Sequence, residues 1–372
     1  MNILIFSWRD LKHPLAGGAE ESTHQHAKAW VKNGHKVTLF TSRFKASKAD
    51  EKIDGVEIIR YGHDVFGVHL SAFFWYSFCS HPKFDLVVDQ FHGIPFFTPL
   101  YVRAKKLAFI HEVAKEVWKL NPWPKPFNLL PGVFGTIFEP LIFKIFYRKV
   151  PFMTVSQSTK KDLVDWGVPA KNIEVIHNGV TLSIVSPIPN KEKKKTAIYL
   201  GAFAKDKGIE EAIESFNLIN KSDRNWQFWV VGKGDEKYKK RLEVSCQRLG
   251  IEGKVKFWGY VSDKKKFELL ARAHILINPS AREGWGLVNI EANAVGTPVV
   301  AYNVPGIRDS VKDGYSGILC EERTPACLAK EILSLVNDNE KYEKLSKQAK
   351  TWSKKFNWKT STQKSLRLLQ SF

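Results

Sequence analysis

The fold is indicated most directly by one stretch, SAREGWGLVNIEANAVGTP at residues 280–298, which sets two glutamates eight positions apart. Apolar residues recur in it at spacings of three and four, at Leu287, Ile290 and Ala294. This spacing predicts a short helix, with Gly296 as its stop signal and Pro298 beyond it. Glu283 then lies in the loop before the helix, and Glu291 lies about one turn inside it.

The glycines of this loop predict an anion-binding site. Gly284 and Gly286 leave backbone N–H groups accessible, and the positive end of the helix dipole would face an anion there. The two glutamates add carboxylate acceptors that suit hydroxyl groups. A sugar attached to a diphosphate needs both kinds of contact, whereas the alternative interpretation is a surface turn with two solvated glutamates.

Further motifs occur along the chain in the order typical of a known family. They are Gly17-Gly18-Ala19-Glu20, His111-Glu112, Val155-Ser156, His177-Asn178-Gly179-Val180, Tyr199-Leu200-Gly201, Lys207-Gly208, Val231-Gly232-Lys233-Gly234 and Val255-Lys256-Phe257-Trp258-Gly259. With the glutamate pair they resemble glycosyltransferase family 4, the retaining group 1 glycosyltransferases, over roughly residues 1–360. The resemblance implies the GT-B fold, an α/β architecture of two Rossmann-like domains whose mostly parallel sheets face each other across a cleft.

The alternation of predicted strands and helices also favours two α/β units. Strands are predicted at 2–7, 35–41, 56–61, 85–89, 107–110, 152–155, 173–176, 197–201, 227–231, 255–258, 275–278 and 298–302. Pro, Ser and Lys dominate between Val180 and Thr196, which predicts the linker there. We therefore place the acceptor-side domain at 1–181 and the donor-binding domain at 182–354. The resemblance implies that a last helix, within 355–372, returns to the first domain.

Composition is that of a soluble globular protein, since 44% of the 372 residues are hydrophobic and 26% are charged. The four cysteines lack metal-ligand or disulfide-framework spacing, which suits a reducing cytoplasm. The chain opens on a predicted strand without a basic leader, so we expect no signal peptide. We expect no membrane span either, because the most apolar region is interrupted by Pro131, Glu139, Pro140, Lys144 and Arg148.

The net charge of +19 favours an anionic partner such as nucleic acid, an anionic membrane surface or a phosphorylated substrate. Nucleic acid is disfavoured, because the chain has no zinc-ligand spacing, no RNP-type aromatic motif and no basic arm. Lysine clusters such as 264–266 are expected to be solvated faces. We therefore expect a cytoplasmic protein that is peripheral at the inner face of the cell membrane.

Aromatic and basic residues interleave at 73–78 and at 118–152, both in the acceptor-side domain. Most of these side chains are expected in the core. Three near the prolines, Trp123, Lys125 and Phe127, are expected to lie exposed and to dip into an anionic bilayer.

The resemblance assigns roles to residues of both domains. Glu283, His111 and Lys207 are implied as catalytic, with His111 hydrogen-bonding the transferred sugar; by position alone, at a strand end, this histidine could instead be structural. The implied donor-binding residues are Glu291, Gly284, Trp285, Gly286, Leu287, Val288, Gly17, Gly18, Tyr260 and Val261. Glu20 and Arg9 are placed on the acceptor side.

The expected chemistry follows from the charge that develops on a departing diphosphate. The chain has no Asp-x-Asp triplet, which metal-dependent transferases use, so we expect no metal and no cofactor besides the nucleotide-sugar substrate. Lys207 would then be the cation, while Glu283 would bind sugar hydroxyls and Glu291 the ribose. Both glutamates would hold the donor from one side, which disfavours double displacement. The resemblance implies retention by front-face attack, with the leaving phosphate taking the acceptor proton.

One position departs from the family pattern. Ala202 follows Gly201, where the family commonly has an arginine that shares the diphosphate with the lysine. The phosphate site is therefore expected to be weaker or to borrow Lys205 or Arg9. We expect a glycan or lipid-linked acceptor. The alternatives are a GT-B sugar-nucleotide epimerase, a hydrolase, or an inert glycan- or membrane-binding protein of this fold; a dehydrogenase or kinase would need glycine motifs that the chain lacks.

Overall fold

The computed structural model describes residues 1–91, 93–120, 129–181 and 188–372. The chain forms two compact units, Met1–Gly179 with Trp358–Phe372 (unit 1) and Val180–Asn357 (unit 2). The sequence places these borders after residues 181 and 354. Part of the predicted linker, 182–187, lies outside the described residues. So do three residues predicted to meet a bilayer, namely Trp123, Lys125 and Phe127.

Unit 1 is built on an eight-stranded sheet. Its strands are β1 (Asn2–Phe6), β2 (Lys36–Thr41), β3 (Asp50–Ile53), β4 (Val56–Arg60), β5 (Leu86–Phe91), β6 (Lys105–Ile110), β7 (Phe152–Thr154) and β8 (Ile173–Val175). They lie in the order β3-β4-β2-β1-β5-β6-β7-β8, and neighbours are parallel except for β3 and β4. The sequence does not predict β3, because this edge strand is polar and has no buried residue.

The helices of unit 1 include one from the end of the chain. They are α1 (Gly18–Lys32), α2 (Asp64–Phe78), α3 (Thr98–Tyr101), α4 (Leu129–Ile142), α5 (Gln157–Asp165) and α13 (Trp358–Leu369). Ser365 of α13 joins α1, because its hydroxyl accepts from Trp30 Nε1 at 3.0 Å and lies 2.9 Å from His26 Nδ1. Burial lowers the pKa of His26 to about 3, so this ring packs as a neutral group.

The helix α4 differs from the expectation that its prolines and charges exclude a membrane span. It continues into a π-helical turn, Phe143–Tyr147, and Pro140 lies inside the helix without ending it. A π-helical turn accommodates the disturbance that a proline makes in the hydrogen-bond ladder. The window Leu130–Tyr147 is long and apolar enough to cross a membrane by length and composition, with a mean hydropathy of 1.3, and 29% of it is buried.

Unit 2 has a six-stranded parallel sheet in the order β11-β10-β9-β12-β13-β14. Its strands are β9 (Lys195–Leu200), β10 (Trp226–Val231), β11 (Val255–Gly259), β12 (Ile275–Asn278), β13 (Val299–Tyr302) and β14 (Gly317–Cys320). Its helices are α6 (Ile209–Ser222), α7 (Glu236–Arg248), α8 (Asp263–Arg272), α9 (Leu287–Ala294), α10 (Ile307–Ser310), α11 (Pro325–Asn337) and α12 (Asn339–Ser353). Phe216 of α6 stacks on Phe228 of β10, with ring centroids 5.1 Å apart, in the centre of the core.

The carboxyl ends of the unit 2 strands approach each other closely. Gly201 N donates to Val231 O at 3.1 Å where β9 and β10 end. A Cβ atom on Gly232, whose φ is +144°, would lie 1.8 Å from Gly201 O, so only glycine fits. Ligands of open α/β sheets bind at such strand ends, and the loops that follow carry the residues described next.

Candidate active site

Glu283 lies in the loop between β12 and α9, and close main-chain contacts fix this loop. Its N–H donates to Pro305 O at 3.1 Å. Gly306 has a φ of +81°, and a Cβ atom there would lie 1.8 Å from Glu283 O. Ser280 Oγ donates to Glu283 Oε1 at 2.9 Å. The carboxylate is therefore oriented both by its main chain and by the serine.

Lys207 approaches the same carboxylate from the loop after β9. Its Nζ lies 3.1 Å from Glu283 Oε1 and 3.7 Å from Asp206 Oδ2. Gly208, with a φ of +67°, begins α6, and a Cβ atom on it would lie 2.2 Å from Pro279 O. The glycine thus lets this loop reach the end of β12. The two residues predicted to hold the diphosphate and the sugar are in direct contact.

A buried tyrosine fixes the main chain at Ala202, the position where the sequence differs from the family pattern. Tyr199 donates its hydroxyl to Ala202 O at 2.7 Å. Burial, and then the negative charges of Glu283 and Asp206, raise the pKa of Tyr199 well above its ordinary value, so it remains a donor. The side chains of Ala202 and Lys205 are both exposed. The position where the family commonly has arginine is therefore open to a longer side chain.

The first turn of α9 starts at a glycine that no other residue could replace easily. Gly286 has a φ of +76°, and a Cβ atom on it would lie 2.6 Å from Asn289 Nδ2. Asn289 accepts from Asn278 Nδ2 at 2.8 Å and donates to Ser310 Oγ at 2.9 Å, which ties the helix to β12 and α10. Amides at the start of a helix, here those of Leu287 and Val288, have no intrahelical acceptor.

Trp285 anchors the loop by its ring. The indole is 2% exposed and packs edge-on against Phe356, with ring centroids 5.0 Å apart. Phe356 packs in turn against Trp352 at 5.2 Å. Trp285 would therefore contact the sugar-donor substrate through its main chain. Its neighbour Gly284 has no side chain and would do the same.

Glu291 has a lysine partner that the sequence does not reveal. Lys266 Nζ lies 2.7 Å from Glu291 Oε1 and 3.0 Å from Asp263 Oδ1. Burial acts to lower the pKa of Lys266, but the two carboxylates outweigh it and raise that pKa, so the lysine stays charged. The expectation that the lysine cluster is a solvated face is wrong for Lys266, whose side chain is 19% exposed.

Tyr260 and Val261 follow the end of β11. Tyr260 is 77% exposed, and Lys233 Nζ lies 5.0 Å from the centroid of its ring. Gly259, with a φ of +68°, turns the chain just before them. Val261 is half-buried and packs on the core.

In unit 1, the predicted residues at the start of α1 form one cluster. Glu20 Oε2 accepts from Gly17 N at 2.7 Å, and Glu20 Oε1 accepts from Arg9 Nε at 2.9 Å. Arg9 also donates to Leu15 O at 2.9 Å. Glu20 is 3% exposed, and its carboxylate thus satisfies the N–H of the helix cap Gly17, directly before Gly18. The cluster gives the helix start a defined geometry.

His111 follows β6 directly, at the carboxyl end of that strand. It is 5% exposed, and its ring centroid is 4.4 Å from that of Phe109. Its carbonyl oxygen accepts from Thr159 Oγ1 at 3.1 Å. The loop that follows is held by a buried carboxylate, because Glu139 accepts from the N–H groups of Ala114 at 2.8 Å and Lys115 at 3.1 Å.

Two family models match the chain one after the other. Glycosyltransferase Family 4 matches residues 16–184, and Glycosyl transferases group 1 matches residues 183–352. The chain belongs to these glycosyltransferases.

Relatives of this glycosyltransferase include an uncharacterised glycosyltransferase of Methanocaldococcus jannaschii, 26% identical over 91% of this chain and 90% of the relative. A second one from that organism is 31% identical over 50% of this chain and 49% of its own length. Glycogen synthase of Mycobacterium tuberculosis is 26% identical over 56% of this chain and 51% of its own length. For the latter two, the match spans about half of the relative.

Solved structures show the same fold. Sucrose-phosphate synthase from Thermosynechococcus elongatus has a TM-score of 0.82 at 19% identity, covering 100% of this chain and 98% of that one. Anabaena HepE in complex with UDP-glucose has a TM-score of 0.76 at 18% identity, covering 100% of both chains. The glycosyltransferase therefore has the GT-B fold that the sequence predicts.

The structure groups the predicted site residues unevenly. Lys207 contacts Glu283, and Arg9 contacts Glu20, whereas Glu291 pairs with a lysine outside the prediction. The partners that the sequence does not reveal are Ser280, Asp206, Lys266 and Glu139. Of these, Ser280 and Asp206 carry a signal, since the serine precedes Glu283 by three positions and the aspartate directly precedes Lys207. In the described parts of the glycosyltransferase, no three His, Cys, Asp or Glu side chains are grouped closely enough to hold a metal ion.

Proposed function

We propose that this glycosyltransferase is retaining and metal-independent, and that it moves a sugar from a nucleotide-diphospho-sugar to a glycan or lipid-linked acceptor at the cytoplasmic face of the membrane. The contact between Lys207 Nζ and Glu283 Oε1, 3.1 Å long, carries the proposal. It sets a cation suited to a diphosphate beside a carboxylate suited to sugar hydroxyls, just before the positive end of α9.

Donor binding would exchange this internal pair for two intermolecular contacts. Phosphate oxygens would take Lys207 Nζ, and sugar hydroxyls would donate to Glu283, while Ser280 keeps the carboxylate oriented. The amides at the start of α9, Leu287 and Val288, would add donors to the phosphate. Fixed charges and dipoles of this kind stabilise a leaving diphosphate without reorganisation.

Glu291 would bind the ribose with the oxygen that Lys266 leaves available. Lys266 Nζ lies 2.7 Å from Oε1, and a carboxylate has lone pairs enough for further donors on both oxygens. A ribose diol supplies two such donors. The role is ground-state binding, because the ribose does not change during the reaction.

The reaction would proceed on one face of the sugar. The acceptor hydroxyl attacks the anomeric carbon as the bond from that carbon to the phosphate oxygen breaks, and the departing phosphate takes the hydroxyl proton. Lys207 would stabilise the charge left on the diphosphate, and His111 would hydrogen-bond the transferred sugar. The fold of HepE, whose structure holds UDP-glucose, supports a nucleotide-diphospho-sugar as the class of donor.

A thermal-shift screen over UDP, GDP, ADP and their sugar conjugates tests the donor. The nucleotides that carry one of the three bases should raise Tm, because a ligand of the native state at 100 times its Kd adds about 2.7 kcal/mol to the free energy of unfolding. The matching conjugate should release nucleoside diphosphate only when acceptor is present, equally with and without EDTA, and NMR should show the donor's anomeric configuration in the product. A protein that no nucleotide stabilises would contradict the proposal.

A further inference from the structure

We propose that unit 1 docks on an anionic lipid bilayer through one apolar surface, formed by α2, α3, α4 and the π-helical turn, with α4 lying along the membrane. This docking surface gives the proposed lipid-linked acceptor a defined place. The inference rests on the proposed function only in that respect, because docking requires neither the donor nor the transfer reaction.

The first part of the docking surface is a stripe on α2. Phe66, Leu70, Phe74 and Phe78 recur at intervals of four residues and therefore lie on one face of the helix. They are exposed by 71%, 60%, 57% and 73%. The sequence predicts that most of the aromatic residues at 73–78 and 118–152 lie in the core, and the structure shows Phe73, Phe74 and Phe78 exposed. Aromatic side chains in water are costly unless a partner covers them.

The second part is a stripe on α4 and the π-helical turn. Its members, at spacings of three and four, are Leu130, Val133, Ile137, Leu141 and Ile145, exposed by 61%, 59%, 52%, 42% and 64%. A helix whose opposite face packs on its own domain would normally show polar residues here. Instead, the outward face is as apolar as a core.

The helix α3 joins the two stripes. Tyr101 packs edge-on against Phe73 of α2, with ring centroids 5.1 Å apart. Phe97, which caps α3, packs against Phe146 of the π-helical turn at 6.1 Å. Leu100, between them, is 62% exposed. The exposed residues thus belong to one continuous apolar surface, of the kind that marks an interaction site.

Charge indicates an anionic bilayer as the occupant. Exposed basic residues flank the apolar stripes, namely Arg103, Lys105, Lys144, Arg148 and Lys149. From Phe66 to Phe78 the sequence has no acidic residue, and Glu139, the single one within 129–149, is buried. A second copy of this chain would bring like charges together, which costs free energy. Anionic headgroups would instead attract each lysine or arginine.

The inward face of α4 excludes a spanning orientation. Glu139 is 3% exposed, and its carboxylate accepts from Trp118 Nε1 at 3.0 Å as well as from the two loop amides after β6. Phe143 and Tyr147 of the π-helical turn pack on Phe91 of β5, at 5.8 and 5.7 Å. Crossing the bilayer would remove these contacts and expose a carboxylate to lipid. A helix with one apolar outer face lies in the interface plane instead.

Vesicle sedimentation with the full chain tests the inference. The protein should pellet with vesicles of phosphatidylglycerol and phosphatidylcholine at low salt, and bind at least several-fold less at 0.5 M NaCl, where the Debye length falls to about 4 Å. The double variant F74D/I137D, with one change on each stripe, should lower the partition coefficient about tenfold or more. Its folding is checked by circular dichroism and Tm.

The matched control is V164D/V244D, which adds the same charge at exposed apolar positions outside the docking surface and should bind like the unmodified protein. Equal binding by both variants would overturn the inference. So would equal binding to purely phosphatidylcholine vesicles, or a dimer in solution that F74D/I137D dissociates. If the protein stays in the vesicle pellet after a wash at high salt, it spans the bilayer, and this result would overturn the in-plane orientation. Nucleotide thermal shifts of both variants report separately on the donor site.

Discussion

Glu283 and Glu291 each form a salt bridge with a lysine, and the two lysines come from different elements. Lys207, from the loop before α6, holds Glu283 at 3.1 Å, and Lys266 of α8 holds Glu291 at 2.7 Å. The first pair lies beside the amides of α9 and the second about one turn inside the helix. Their expected roles therefore separate at the residue scale into stabilising the leaving group and binding the ribose.

We expect Glu283→Gln to lower kcat by about 100-fold or more, because the sugar carries most charge in the transition state and loses its carboxylate partner there. Glu291→Gln should mainly raise KM for the donor, since ribose binding is the same before and during transfer. Steady-state kinetics with varied donor separate the two effects. A near-normal kcat in Glu283→Gln would refute the assignment of the sugar site.

Lys207→Ala should cost about 2–4 kcal/mol in kcat/KM, by analogy with other single donors to a developing anion. Lys344→Ala, at an exposed lysine of α12, is the control and should change little. Ala202 is also exposed, so Ala202→Arg should be accommodated and should restore part of the activity of Lys207→Ala. Full activity in the single Lys207 variant would transfer the role to Lys205 or Arg9.

At the element scale, the start of α6 depends on one close approach. Gly208 and Gly250 share a φ of +67°, but a Cβ atom would meet Pro279 O at 2.2 Å at Gly208 and nothing within 4 Å at Gly250. Gly250→Ala should therefore cost only the left-handed conformation, about 1 kcal/mol. Gly208→Ala should cost roughly 3 kcal/mol or more, since the loop must also move. Denaturant unfolding measures both, and equal losses would argue against the close contact.

Elements with continuous apolar runs are predictable from the sequence, and polar or surface elements are not. The runs at β1 and β5 identify their strands, and the glycine after α9 marks its end, because local pattern determines both. The edge strand β3 has no such pattern. The outward face of α4 also escapes prediction, because apolar periodicity locates a helix without telling whether its apolar face meets the core, a partner or a membrane.

The site shows the same limit. The spacing of eight positions locates both Glu283 and Glu291, because eight residues span one loop and the start of one helix. Lys266 is 25 positions away from Glu291 and meets it only because α8 packs on α9. A lysine in a run of three lysines looks solvated from the sequence, since nothing local distinguishes the one that folds inward.

At the scale of the whole molecule, the proposed docking surface and the two lysine–glutamate pairs belong to different units. The docking surface lies wholly in unit 1, and the lysine–glutamate pairs lie wholly in unit 2. Substitutions on the docking surface should therefore leave nucleotide binding unchanged, which is why the thermal shift serves as a check on vesicle binding. One lysine of unit 2, Lys191, is buried, and its burial makes the stability of the protein depend on pH.

Lys191, near the start of unit 2, donates to Ala273 O at 2.6 Å and to Thr297 Oγ1 at 2.7 Å. Burial, and then the positive charge of Lys350, lower the pKa of Lys191 from 10.5 to about 7, although Glu343 opposes the shift. Between these values the unfolded chain binds one more proton than the folded chain. The free energy of unfolding therefore rises with pH from about 7 to 10.5, by up to about 1.4 kcal/mol per pH unit from this group.

Lys191→Met should remove that rise. The free energy of unfolding of the variant, relative to that of the unmodified protein, should therefore be most favourable near pH 7 and least favourable near pH 10. The lost hydrogen bonds lower its stability by an amount that does not depend on pH, which the slope separates from the proton effect. Urea unfolding at four pH values between 7 and 10 gives both slopes. Lys344→Met, at an exposed lysine of α12, is the matched control and should keep the slope of the unmodified protein. Parallel curves for the Lys191 variant and the unmodified protein would show that Lys191 stays charged in the folded state.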